Sequence, residues 1–170
     1  ASGIDTASHK AALDAGAPTV AVNGTGLDMV DPASSRNVAR LIRSHGAMVS
    51  ELPLGSPPRR KHFPSRNRII SGLSLAVLVV EAGLNSGTLI TARKAAEQGR
   101  DVFALPGSLH NPMAKGCHRL IREGARLVET AADILQELGP LAMELQLEIR
   151  QQLELAGTGD DGPAAQVNGL

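Results

Sequence analysis

The sequence predicts an α/β chain built on a mostly parallel sheet with helices on both faces, and three observations carry that prediction. Short β-rich runs alternate with helix-patterned segments along the first 138 residues. The connections between them are short and rich in Gly and Pro. The run "LAVLVVEA" (75–82) is continuously apolar, as expected of a parallel strand covered on both faces.

Taken in order, residues 5–15 ("DTASHKAALDA") read as a helix with Asp5 as N-cap and Gly16 just past its end. "TVAVN" (19–23) is a strand, and "GTGLDMVDP" leads into a helix over 33–45 that stops at Gly46. "AMVSE" (47–51) is the next strand, and "LPLGSPPRR" is a loop. The segment from Lys61 to Ser74 precedes strand 75–82, and Pro64 is expected at its first helical position. After "GLNSGT" comes a helix ending near Gln98, then the strand "DVFAL", the helix "CHRLIREG", the short strand "ARLVE" and the helix "AADILQEL". Gly139–Pro140 is expected to break that last helix. Beyond it, Leu141, Leu145, Ile149 and Leu153 form an apolar stripe, either docked on the core or open to a partner. From Gly157 the composition is that of a disordered tail.

Composition narrows the function. The 170 residues hold 17 bases and 17 acids, so attraction to a polyanion has to be local. A single cysteine, Cys117, excludes an internal disulfide and fits a reducing cytoplasm. No apolar stretch approaches the roughly 18 residues needed to span a bilayer. The opening "ASGIDTASHK" has neither an initiator Met nor an apolar signal segment, which is expected of a fragment. Trp and Tyr are absent, leaving Phe63 and Phe103 as the aromatic rings; Phe103 alternates like a core strand residue.

Ligands in open parallel sheets sit beyond the carboxyl ends of the strands. "NGTGLD", "GLNSGT" and "PGSLHNP" all follow strands and are expected on one edge. Ser86, Gly87 and Thr88 stand at a helix N-terminus, where unpaired amides and the helix dipole favour an anion. A βα turn also wants a glycine and a capping hydroxyl for purely structural reasons. Gly24 and Gly26 carry the same ambiguity between steric need and close approach to a phosphate. Arg59, Arg60, Lys61, Arg66 and Arg68 gather with no acid before Glu81. Arg66, Ile70 and Leu73 share a stripe that would hold Arg66 at the sheet edge, where its fork suits a phosphate. The plain alternative pairs Arg66 with Glu51 or Glu81. Asp5 and His9 could pose as an acid–base pair, but a cap and a packing residue explain them better. Cys117, His118 and His110 lack metal-ligand spacing, and no base is indicated for Cys117 as a nucleophile. Glu81, at the end of its strand, is the one carboxylate placed for catalysis, unless it instead orients Arg66 or Arg93.

With these residues assembled, the chain resembles the DNA-processing protein A (DprA/Smf) family. The match runs through "SGIDTASHKAAL", "TVAVNGTGLD", "SELPLGSPPRRKHFPSRNRIISGLS", "VLVVEAGLNSGTLITARKAAEQGRDVFALPGS" and "NPMAKGCHRLIREGARLVETAADIL", from Ala1 to about Leu138. "FPSRNRIISGLS" joined to "SGTLITA" is its most specific part. The resemblance implies an extended Rossmann-like three-layer domain over residues 1–138 with its first strands missing; periodicity and composition add a C-terminal helix over 139–156 and a disordered tail over 157–170. The resemblance also implies a cytoplasmic homodimer and binding of single-stranded DNA; the chain departs from the family in that the winged-helix domain many members carry at the C-terminus is not recognisable after Leu138. The functional expectation is protection of incoming strands in natural transformation and help in loading RecA recombinase, without enzymatic activity, cofactor or metal. Carried over by position, the binding residues are Gly24, Thr25, Gly26, Lys61, Phe63, Arg66, Asn67, Arg68, Ser86, Gly87 and Thr88. The competing reading is a nucleotide-processing phosphoribohydrolase that uses Glu81 as acid and "NSGT" as phosphate cradle. A weaker third is an interaction scaffold working through the helix at 141–155.

Overall fold

The computed structural model describes residues 3–157 and divides the chain into two compact units, Ala1–Glu129 and Thr130–Leu170. The first unit opens with α1 (Ile4–Asp14), ended by Gly16 at φ 70°, a left-handed conformation that favours glycine. Gly3 caps this helix, so Asp5 lies inside the first turn rather than capping it as expected. The strand β1 (Val20–Val22) follows. The helix expected over 33–45 is a 3-10 turn, Ala33–Ser35, continued by α2 (Arg36–His45). Val38, Ala39 and Ile42 form the buried face of α2, and β2 (Ala47–Val49) pairs in parallel with β1, Val20 opposite Ala47.

Next come α3 (His62–Gly72), β3 (Ala76–Val79), α4 (Thr88–Glu97) and β4 (Asp101–Ala104). A 3-10 turn with Asn111 as its cap leads into α5 (Lys115–Arg122), then β5 (Arg126–Leu127). The strands β3, β4 and β5 form a second parallel sheet in that order. The core beneath it is made of small side chains: Val79, Ala82, Ala92, Ala104, Cys117 and Leu120, with Val77, Leu89, Val102 and Ile121 against it. Phe103 is buried, as its alternation predicted.

Four expectations are corrected. The strands fall into two parallel sheets rather than one, because α3, inserted between β2 and β3, packs on β1 and on α4 and no ladder joins β1 to β3. The apolar run 75–82 yields only a four-residue strand, and Leu78 is exposed, so it is not covered on both faces. Glu81 consequently lies two residues past β3 rather than at its end. Pro64 is the third residue of α3, not the first; the first-turn amides have no intrahelical partner, so proline is tolerated there without breaking anything.

The second unit contains α6 (Ala131–Gly157), a single 27-residue helix that passes straight through Pro140. The break expected at Gly139–Pro140 does not occur. Proline in a helix interior costs about 3 kcal/mol, but Ala, Leu, Glu and Gln dominate both flanks and propagate the helix across it. On α6, Leu141 and Leu145 of the expected stripe are exposed, as are Met143 and Leu147; the side chains of Ile149 and Leu153 lie outside the described residues, as does the tail beyond Gly157. Among the described residues, no helix is long and apolar enough to cross a membrane, and no cluster of His, Cys, Asp and Glu could hold a metal ion.

Candidate nucleic-acid interface

A cleft of about 1000 Å³ opens beside β1 in the first unit. Its walls include Asp5 and His9 of α1, the strand and turn from Val20 to Thr25, Ser35 of the 3-10 turn, Phe63, Arg66 and Ile70 of α3, and Leu73 just past its end. The stripe of Arg66, Ile70 and Leu73 read from helical spacing therefore does face one cavity. What holds α3 here is a set of contacts made by its N-terminal half. The Phe63 ring lies against Gly24, within 3.2 Å of where a β-carbon would stand. The His62 ring Nδ1 is 3.3 Å from the Gly24 carbonyl. Arg66 Nη1 donates to the Val22 carbonyl at 2.5 Å, and its Nε donates to Asn67 Oδ1 at 3.1 Å.

Arg66 is thus half-buried without being locked to a carboxylate through a hydrogen bond, and its Nη2 has no partner among the described residues. Burial pushes its pKa down from the ordinary value while the field of Asp5 opposes this; the guanidinium stays charged. Its carbon Cζ stands 5.9 Å from the centre of the Phe63 ring. Burial likewise lowers the His9 imidazole below its ordinary 6.5, again against Asp5, and His9 Nδ1 bonds the Thr19 hydroxyl at 2.8 Å. Sequence reasoning placed neither Asp5 nor His9 in this cleft. No local signal brings α1 beside α3; only the packing around β1 does.

The Gly24–Gly26 turn is more enclosed than a phosphate loop needs to be. The Thr25 hydroxyl donates to the Met29 carbonyl at 3.2 Å, and the Thr25 carbonyl accepts from Ser50 Oγ at 2.7 Å. Gly26 gives its N–H to the Ser56 carbonyl, and a β-carbon on it would meet Asp28 Oδ1 at 2.6 Å and the Pro53 carbonyl at 2.7 Å. The Thr25 hydroxyl and the Gly26 amide are therefore engaged in holding the turn together. The N–H groups of Gly24 and Thr25 have no acceptor among the described residues.

The remaining predicted residues do not line this cleft. Lys61 caps α3 and is exposed. Arg68 is exposed and forms an ion pair with Glu51, the partner considered for Arg66. Asn67 orients Arg66 rather than lining the cavity. Ser86 lines a different cavity of about 510 Å³, along the second sheet, with Leu89, Arg93, Arg100 and Leu120. There Ser86 Oγ accepts the Thr88 N–H at 3.2 Å and donates to Thr88 Oγ1 at 3.0 Å, a hydroxyl cap on α4. Gly87 has open space around it. Glu81 is exposed and lines neither cavity. Cys117 is fully buried, its thiol pKa raised by that burial, which rules against a nucleophile.

Parallel strands joined through helices, with βα turns beyond their carboxyl ends, define the class: an open-sheet α/β module. The chain belongs to the family of DNA recombination-mediator protein A, whose family model matches residues 1–139. It is 50% identical over 137 residues to the DNA processing protein DprA of Streptococcus pneumoniae, covering 81% of this chain and 49% of that protein. It is 54% identical over 139 residues to Protein Smf of Escherichia coli, covering 81% of this chain and 37% of the other. The chain thus spans about half or less of these two relatives. Its fold matches the X-ray structure of DprA from Streptococcus pneumoniae with a TM-score of 0.75 and 49% identity, over 79% of this chain and 48% of that one. A second match, TM-score 0.66 and 27% identity, covers 71% of this chain and 55% of DNA processing protein A from Helicobacter pylori, whose structure is described for its single-stranded DNA binding mode.

Proposed function

We propose that this chain binds single-stranded DNA, with the strand's phosphates meeting Arg66 and the unpartnered Gly24 and Thr25 amides in the β1 cleft. The observation that carries this reading is Arg66: a charged, half-buried guanidinium held by a backbone carbonyl, with one nitrogen left over in the cleft that Gly24 and Thr25 also line. The resemblance to the Helicobacter pylori protein supports the nature of the ligand. Lys61 and Arg68 are exposed cations at the N-terminal end of α3 and on its other face, outside the cleft, and we read the Ser86–Thr88 turn as a second station on the other sheet. Phe63 serves as a floor under Arg66; a ring packed on Gly24 keeps little face for stacking a base. In the whole protein we read this module as acting on incoming strands in natural transformation, as a cytoplasmic homodimer that helps load RecA recombinase. It acts by binding rather than catalysis. The position of Glu81, exposed and away from both cavities, gives the phosphoribohydrolase alternative no support.

Fluorescence anisotropy with labelled single- and double-stranded oligonucleotides across salt tests the reading. With about four phosphates neutralised, log affinity for a single strand falls against log salt with a slope near −3. Arg66→Glu is expected to abolish most binding; because it also removes the bond to the Val22 carbonyl that holds α3, the melting temperature is recorded beside it, and Arg66→Gln, which keeps a donor without the charge, separates loss of charge from loss of fold. A slope near zero, or full binding by Arg66→Glu, overturns it.

A further inference from the structure

We propose that the path of the strand does not end at the cleft but continues over α2, where Arg36, Arg40 and Arg43 make a second, sequence-independent phosphate contact. This rests on the single-stranded DNA reading above. The three arginines are spaced by four and then three residues, which puts them on one stripe of the helix, to the side of the buried Val38, Ala39 and Ile42. No acid occurs between Asp31 and Glu51, so the stripe has none of the within-helix ion pairs that usually accompany such spacing.

Arg43 shows which way the stripe faces. Its Nη2 donates to the Leu27 carbonyl at 2.9 Å, and Leu27 directly follows the Gly24–Gly26 turn. Arg36 follows Ser35, which lines the same cleft as Gly24, Thr25 and Arg66. Arg36 and Arg40 are exposed and have no partner among the described residues. Arg36 also occupies the first residue of α2, where the helix dipole disfavours a cation. A phosphate arriving there would offset both the crowding of like charges and the dipole. The acids nearby in the chain are Asp28, whose carboxylate accepts the Gly55 N–H, and Asp31, which is exposed. From Arg36 to Arg43 the helix rises about 10 Å, longer than one extended backbone repeat of a single strand, so the stripe meets successive phosphates rather than one.

The test compares oligonucleotides of about 6 and about 20 nucleotides, near the bottom and beyond the top of the ~4–16-nucleotide footprints of single-strand binders. The double variant Arg36→Gln/Arg40→Gln is expected to lose about tenfold in affinity for the longer strand, with a salt slope shallower by about 1.4, and to keep its affinity for the shorter one. Arg36→Lys/Arg40→Lys is expected to retain most of the long-strand affinity, since the contact is one of charge. Unchanged binding of the longer strand, or equal loss on both lengths, overturns the α2 path. If Arg66→Glu still abolishes binding in that case, the cleft reading stands alone. If the unsubstituted chain binds neither oligonucleotide, both readings fall.

Discussion

The turns Gly24–Gly26 and Ser86–Thr88 look alike as sequence: each follows a β-rich run, and each combines glycine with a hydroxyl. In the structure they are opposites. Around Gly24 and Gly26 the space is filled, by the Phe63 ring on one and by Asp28 and the Pro53–Gly55 backbone on the other. Around Gly87 there is nothing within 4 Å, and its φ of −59° suits any residue. A glycine-rich βα turn can thus record a steric necessity or merely a small residue at an open helix start. Composition alone does not separate the two.

Substitution breaks this comparison most sharply at Gly26. Gly26→Ala is expected to destabilise by about 2–3 kcal/mol, because the new methyl meets a backbone carbonyl that cannot retreat; chemical denaturation reads this directly. Ser86→Ala removes the hydroxyl that accepts the Thr88 N–H and should cost about 1 kcal/mol. Gly87→Ala is expected to do the reverse, stabilising by roughly 0.5 kcal/mol through a less flexible unfolded chain. A large loss at Gly87, or none at Gly26, would erase the distinction.

The smaller effects concern charge. His9 is held below its ordinary 6.5, so the unfolded chain binds more protons than the folded one as pH falls through that value. Stability should be constant above about pH 6.5, decline as pH drops through the lower folded value, and level off beneath it. His9→Gln should flatten that window in melts recorded between pH 7 and 5. The Arg68–Glu51 pair is half exposed on both sides, 53% and 51%, and such pairs contribute about 0–1 kcal/mol. Glu51→Gln should therefore barely move stability while it releases Arg68 and modestly tightens DNA binding; weaker binding would show that Arg68 needs its partner to be placed.

Much of this architecture was legible because it follows from spacing. The helix over 33–45, the stripe of Arg66 and Ile70, the stops at Gly16 and Gly46, and the buried Phe103 all repeat at helical or strand intervals or punctuate them. What escaped were facts set by distant neighbours. Glu51 takes Arg68 and not Arg66, because Arg66 is turned into the cleft and bonded to the Val22 carbonyl. Asp5 and His9 reach the cleft through tertiary packing alone. Pro140 failed to stop α6 because propensity summed along a long helix outweighs one missing bond. The division of the strands into two sheets is likewise invisible to any local pattern.

The layer between α5 and the second sheet is almost without side-chain bulk: Ala82, Ala104, Gly116 and Cys117 bring backbone close to backbone, and a β-carbon on Gly116 would stand 2.5 Å from the Ala82 carbonyl oxygen. Such a seam either stays shut or parts as a whole. The sulfur at its centre is the chain's single thiol, so a thiol-reactive dye gains access only when the seam parts. In a protein lacking indole and phenol rings, the labelling rate of that one atom becomes a natural clock for breathing of the fold.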